Sequence, residues 1–427
     1  MIINRLKRFS LPLSLLPLTA SQCTLADFAD DLSATAIIKN YYFNRDFRDG
    51  PGQSMGEEWA QGFQLNLSSG FTQGTVGFGV DGIAMLGLKL SGGPDGPGVG
   101  LLSRDANGSA HDEYSKFMLT GKVRMAKSDL RVGAISPALP MLSSNTSRLF
   151  PQVFNGALLV SNDFDNITLN LGRVDQVTQR DSTNFEKLTV STMLGSYPSD
   201  AKSDSYTFGG ADYKVSNHLQ LSAHFANFED FYHRGFLGLK ANYPLWQGSV
   251  FSEVRAFKAR QSGSEKLGQV DNTALSSIMG YSWLGHQLSA SYQRIAGDTA
   301  YAYLGGSNTY LFSESQLSVF GYKNERSWHV RYGYDFAALG LPGLTFAVRY
   351  IHGDKIDSSS LSGAQAAALS AAGVSGKEWE SSTDFAYVVQ SGPIKDLVMR
   401  WVHSNNRANF TRSADEHRVM LSYTVNF

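Results

Sequence analysis

The feature that most restricts this chain is a two-residue alternation of apolar and polar side chains, repeated between glycine- and serine-rich breaks. The final segment shows it plainly: Val419, Leu421, Tyr423, Val425 and Phe427 alternate with Met420, Ser422, Thr424 and Asn426. The same period runs through Ile167, Leu169 and Leu171, through Trp328, Val330, Tyr332, Tyr334 and Phe336, and through Phe346, Val348 and Tyr350. It recurs in Val76, Phe78 and Val80 and in Phe117 and Leu119. A period of two belongs to strands with one apolar face, which suits a soluble sandwich as well as a membrane barrel. The connections separate the two. Short polar turns fall near Gln73, Ser128, Asp163, Ser216, Gln247, Gly285, Leu341 and Gly392. Between them lie connections at 45–57, 91–113, 137–153, 178–202, 229–231, 261–270, 297–325, 355–377 and 405–414, most of them long. Eight short turns interleaved with nine loops imply 18 strands, with all short turns and both termini on one face. An even strand number with that asymmetry predicts an all-β fold, an 18-stranded antiparallel transmembrane β-barrel of the bacterial outer-membrane type. At that width the lumen is aqueous and not a packed core. Phe427, a terminal aromatic on an alternating strand, fits the signature expected of chains handled by outer-membrane assembly machinery.

Composition removes other classes. The chain has 427 residues, 42% apolar and 12% aromatic, which is not a disordered composition. A net charge of -1 argues against a nucleic-acid partner. Arg5, Lys7 and Arg8 followed by the uncharged, Leu-rich stretch from Phe9 to Ala20 read as a secretory signal peptide, with Thr24-Leu25-Ala26 as the cleavage site. The expected organisation is therefore a signal peptide at 1–26 and a barrel domain at 27–427, the only cysteine, Cys23, leaving with the leader. Gly77-x-Gly79-x-x-Gly82 satisfies a dinucleotide fingerprint literally, but it lies inside an alternating strand, where glycine is expected to leave lumen space. The nine histidines show no ligand spacing, and no G-x-S-x-G, H-E-x-x-H or P-loop occurs. No catalytic residue, cofactor or metal is expected. The small, Ala-rich segment 361–376 reads as a flexible external loop in preference to a short helix.

If the large apolar residues of each strand face lipid, their neighbours face the lumen. By that parity Lys39, Lys122, Arg124, Arg131, Arg255, Arg331, Arg349, Arg400 and Arg418 point inward. Inward placement is also the cheaper one, because charge at the lipid midplane costs about 2–4 kcal/mol. A tilted strand climbs about 2.3 Å per residue, which puts Arg124 and Arg131 about 7 Å above the periplasmic turns, Arg400 about 12 Å and Arg418 about 21 Å. Cations at successive levels form a ladder along which an anion binds weakly and repeatedly. Asp81, Glu253 and Asp335 share the inward parity and are available to pair with these cations.

Several separate segments stand in a familiar order: Lys39 to Arg48, Gly74 to Asp81, Pro137-Ala138-Leu139-Pro140 and Ser147 to Pro151. They continue with Tyr292-Gln293-Arg294 before Gly297-Asp298, Lys377-Glu378-Trp379-Glu380, and Asp415-Glu416-His417-Arg418. On these segments the whole mature chain resembles the OprD-type outer-membrane porins, substrate-specific carboxylate channels of pseudomonads. The resemblance implies a monomeric or loosely trimeric barrel in the outer membrane of a Gram-negative bacterium, lodged in outer-membrane lipid. It also implies a lumen narrowed by inward-folded third and seventh loops, and a basic ladder that guides small carboxylates. On that basis Ser143, Ser144, Asn145 and Ser147 of one loop and Asp298, Tyr301 and Tyr303 of the other are expected at the constriction, Asp298 opposing the arginines. One departure concerns the penultimate strand. Members often carry Arg-x-Arg there, whereas Arg400-Trp401-Val402 leaves an apolar rung. The expected function is diffusion of small carboxylate nutrients, amino acids or cyclic and aromatic acids. The competing classes are a barrel serine protease or lipase, which needs Ser, His and an acid clustered at one level, and a loop-mediated adhesin or receptor with a plugged lumen.

Overall fold

The computed structural model describes residues 31–93, 96–105 and 107–427; the leader expected at 1–26 lies outside the described residues. Eighteen long strands follow one another: β1 Ser33–Phe47, β2 Met55–Ser68, β3 Val76–Ser91, β4 Glu113–Met125, β5 Ser128–Ile135 and β6 Val153–Phe164. Then come β7 Ile167–Thr178, β8 Tyr206–Ser216, β9 Leu219–Phe228, β10 Tyr232–Leu245, β11 Gly248–Gln261 and β12 Asp271–Trp283. The last six are β13 His286–Gly297, β14 Arg326–Asp335, β15 Leu344–Ile356, β16 Gly376–Val388, β17 Val398–Ala408 and β18 Ala414–Asn426. Each pairs antiparallel with its sequence neighbours, and β1 closes the sheet on β18 from Thr35↔Asn426 to Phe47↔Ala414. Closure leaves no free edge, so every strand finds its backbone partners inside the wall. Only a two-residue extension, Glu186–Lys187 on the outer end of β7, interrupts this order among the described residues.

The alternation divides the wall as the sequence implies. Phe117 and Leu119 of β4 stand outward and exposed, while Lys116, Met118, Thr120 and Lys122 between them are buried inside. Two-residue turns make five of the eight connections on the short-turn side, and those after β2, β14 and β16 run to seven, eight and nine residues. Ala126 (φ 50°) and Trp246 (φ 49°) take the left-handed backbone that such hairpins need.

Two inward loops are fastened by glutamates on the wall. Glu58 of β2, fully buried, accepts the backbone N–H groups of Gly98, Val99, Leu101 and Leu102 at 2.6–3.3 Å. Glu380 of β16 does the same for Gln316, Leu317 and Ser318 at 3.0–3.2 Å. The third loop (136–152) and the seventh (298–325) meet across the lumen, where Asn308 N–H donates to the Ser143 carbonyl at 2.9 Å and its amide donates to the Ser144 carbonyl at 3.1 Å. The fourth loop (179–205) joins them, since Ser191 N–H donates to the Tyr303 carbonyl at 2.8 Å. An aromatic cluster that includes Tyr206, Phe228, Phe236, Phe257 and Tyr301 packs these loops against one side of the wall.

Two local expectations are corrected here. Gly79 does not leave open lumen: a Cβ there would lie 2.5 Å from the Lys122 Cε and 2.7 Å from the Gly70 carbonyl. Its bareness admits the turn after β2, whose Phe71 ring lies 4.0 Å from the Arg124 guanidinium carbon and 4.9 Å from the Lys122 ammonium. The Ala-rich external loop contains an α-helix, α1 at Ala364–Ala371, since a run of alanines has the highest helix propensity.

Candidate functional site

The constriction is assembled from loop backbones that present arginines. The third loop is stiffened by Pro137, Pro140 and Pro151. At its end Ser147 accepts on its hydroxyl from Arg148 at 3.1 Å and from Arg180 of the fourth loop at 2.9 Å. From the wall, Arg349 of β15 donates to the carbonyls of Phe312 and Glu314 and meets His329 Nδ1 at 3.2 Å. Arg418 of β18 pairs with Glu416 and donates to the Gln316 carbonyl at 3.1 Å. These four guanidiniums, with Asn145, Tyr303, Asn308 and Glu314, line one cavity of about 370 Å³. Among the described residues Glu314 is its only lining carboxylate, and it accepts from the Thr309 N–H and hydroxyl, both at 2.8 Å.

Electrostatics follow from that census. Among the described residues Arg148, Arg180 and Arg349 have no carboxylate within 4.0 Å. Burial first, and then the charges of Arg418 and Arg180, press the Arg148 guanidinium below its ordinary value. It is only partly buried and keeps its proton, as arginine does in proteins. Burial raises the Glu314 carboxyl above the usual range, against the Thr309 bonds that favour its charge. Positive charge therefore dominates the level where the inward loops meet the wall.

The path continues on both sides. Arg148 also lines an outer vestibule of about 810 Å³ with Arg45, Arg104 and Asp181. Below, Arg148 and Arg418 line a chamber of about 360 Å³ with Lys39, Arg400, Tyr41, Val398, Val402 and Met420. Arg400 and Val398 then border a wider space, about 950 Å³, together with Arg331 and Asp384 at the short-turn end. Each space shares at least one arginine with the next: Arg148, then Arg418, then Arg400.

The nine expected ladder residues all lie on the inner side of the wall, in two kinds of surroundings. Five are paired on the wall: Lys122 with Asp81 at 2.6 Å, Arg124 with Asp129 at 2.6 Å, Arg255 with Glu253 at 2.6 Å, Arg400 with Asp384, and Arg418 with Glu416. Arg131 lies 4.0 Å from Asp81, and Lys39 donates to the Arg148 carbonyl at 3.2 Å. Arg331 borders the exit space and Arg349 the constriction. Asp335, available for pairing by parity, instead accepts from the Ala337 N–H at 2.9 Å in a turn.

The expected heights need revision. Arg418 stands directly across from Val402, a single inward rung from Arg400, because neighbouring strands are staggered and residue counts from their ends do not share an origin. The rung at Val402 is thus apolar on one strand and cationic on the next. Of the loop residues, Asn145, Ser147 and Tyr303 border the cavity, Ser143 and Ser144 bond the two loops together, and Tyr301 is buried against Phe257. Asp298 is misplaced in the sequence reading. It is exposed at the end of β13 and accepts from the Gln269 amide at 2.9 Å, so it does not oppose the arginines. The acid that does is Glu314, sixteen positions further on in the same loop. Arg148, Arg180 and Glu314 were not among the residues expected from the sequence. The signal within reach was Arg180 itself, a cation closing a strand that alternates into a long loop.

The comparisons agree with this geometry. Residues 26–427 match the family described as outer membrane porin, OprD family. Porin D of Pseudomonas aeruginosa is 33% identical over 420 residues, 95% of this chain and 93% of that protein. Among solved structures, Pseudomonas aeruginosa OccK9 (OpdG) superposes with a TM-score of 0.88 at 38% identity, covering 94% of this chain and all (100%) of that one. Pseudomonas aeruginosa OpdK, solved with vanillate, gives 0.85 at 33% identity over 94% of this chain and 100% of its own. With an arginine-lined lumen inside a closed wall, the chain belongs to the OprD family of substrate-specific outer-membrane porins, which are channels and not enzymes.

Proposed function

We propose that the channel admits small carboxylates and favours those carried on a ring. The observation that carries this reading is the sequence of surroundings along the lumen. A carboxylate first meets Arg148, Arg180 and Arg349, which have no carboxylate of their own among the described residues. It then meets Arg418, and after it Arg400 and Lys39 in a chamber whose other walls include Tyr41, Val398, Val402 and Met420. Guanidiniums offer bidentate hydrogen bonds to carboxylate, and the apolar wall offers a ring a surface away from water. The wall acids on Arg400 and Arg418 compete with the substrate at the lower levels, which weakens each stop and lets the ion leave. OpdK, solved with vanillate, is a relative whose crystallised ligand is a ring carboxylate.

The test is Val402→Arg in proteoliposome uptake. Restoring a second arginine beside Arg400 should raise arginine uptake relative to benzoate by about tenfold, the equivalent of about 1.4 kcal/mol. An unchanged ranking overturns the preference for ring carboxylates.

A further inference from the structure

The lipid-facing side of β8 to β12 carries a furrow. The register sets Gly209, Phe225, Gly235, Lys258 and Thr273 side by side on five successive strands. Phe225 and Leu237 rise on its flanks, 54% and 65% exposed, and Ala223, Gly235 and Ala256 form its floor. The space measures about 530 Å³, and a Cβ added to Gly235 would meet nothing within 4 Å. The furrow ends in charge. Lys258 borders it, and the next rung outward brings His233, Arg260 and Asp271 together. Asp271 pairs with Lys258, which leaves the exposed Arg260 without a carboxylate within 4.0 Å among the described residues.

Height fixes the solvent on each side. Lys258 is ten residues beyond Gly248, where β11 leaves the short-turn side, so it stands about 23 Å up. The apolar band of such barrels is about 25 Å tall, and the furrow therefore lies in the outer leaflet with its cations at headgroup depth. An apolar trough capped by an uncompensated guanidinium calls for an occupant with a hydrocarbon chain and an anionic head.

We propose that this furrow binds a phosphate-bearing lipid of the outer leaflet, one acyl chain over Gly235 and the phosphate at Arg260 and Lys258. The experiment is native mass spectrometry of the detergent-purified porin titrated with Kdo2-lipid A or with the same lipid stripped of its phosphates. The wild type should retain one phosphorylated lipid, and the phosphate-free form should not bind. Gly235→Leu, which fills the furrow, and the double variant Lys258→Gln/Arg260→Gln should each weaken retention about tenfold. Both variants should keep heat-modifiable mobility and wild-type conductance, because none of these residues borders the lumen. A hundredfold excess of inorganic phosphate should leave the lipid bound. Equal retention by wild type and both variants, or equal binding of the phosphate-free lipid, overturns the proposal. So does displacement by inorganic phosphate, or a protein dimer that Gly235→Leu abolishes.

Discussion

At the scale of single residues, the lumen holds two populations of cations that differ in what they already touch. Arg124, held by Asp129 beside the turn at 126–127, is largely neutralised where it stands. Arg148 and Arg349 reach the constriction on carbonyl, hydroxyl and imidazole partners, with the Phe43 ring 4.8 Å from Arg148, and neither has a carboxylate within 4.0 Å among the described residues. A charge-assisted bond to a carboxylate contributes about 1.5–3 kcal/mol, so Arg349→Gln should cut benzoate uptake about tenfold or more. Arg124→Gln should change it less than twofold; a loss there equal to that of Arg349→Gln would mean that position along the lumen, and not pairing, sets the draw. The acids divide in the same way. Glu314→Gln removes the one carboxylate at the constriction, so uptake of arginine should fall while benzoate uptake holds or rises, whereas Asp298→Asn should alter neither. Radiolabelled uptake of both substrates in each variant reads the difference. Inward parity was legible because the alternation is strict, and pairing by Asp81 and Glu253 was within reach of the same rule. Glu314 was not legible, since a glutamate between two serines in a loop looks like any solvated acid until the loop is known to turn inward.

At the scale of elements, the loops are held by carboxylates on the wall. Glu380 gathers the Ser315–Ser318 segment of the seventh loop, accepting three backbone N–H groups and the Ser315 hydroxyl. Glu380→Ala should free that segment without disturbing the strand ladders. Single-channel recordings should show larger conductance and faster flicker, with heat-modifiable mobility retained; unchanged conductance would mean that other contacts hold the loop. A second attachment depends on pH. Glu325, at the end of the same loop, is buried beside Glu378, and burial first, then that neighbour's charge, raises its carboxyl well above the ordinary range. A raised carboxyl favours the folded loop in its protonated form, so its contribution is fully present below the ordinary carboxylate range and is lost as pH rises through the raised value. Conductance noise from the seventh loop should therefore grow towards alkaline pH, and Glu325→Gln should remove that dependence. Noise growing towards acid pH instead would reverse the sign and refute the assignment. Loop boundaries were readable in the Gly, Ser and Asp runs. The helix at Ala364–Ala371 was underrated because small residues suggest mobility as readily as they favour helix.

At the scale of the whole molecule, strand number, closure and sidedness were all present in the chain's period and in the spacing of its turns. Relative height was not, because barrel stagger shifts each strand against the next, and only the register shows Arg418 across from Val402. The cation path therefore follows shared walls between spaces, from Arg148 to Arg418 to Arg400, and not a stack of evenly spaced rungs. A closed wall with no free strand should resist detergent, and the unheated protein should migrate differently from the boiled one on a gel. The most direct test of the central claim sets two solutes with one ring and opposite charge against each other. Proteoliposomes containing the porin should take up radiolabelled benzoate at least tenfold faster than radiolabelled benzylamine at equal concentration. Equal rates, or faster benzylamine, would contradict a lumen organised to conduct carboxylates.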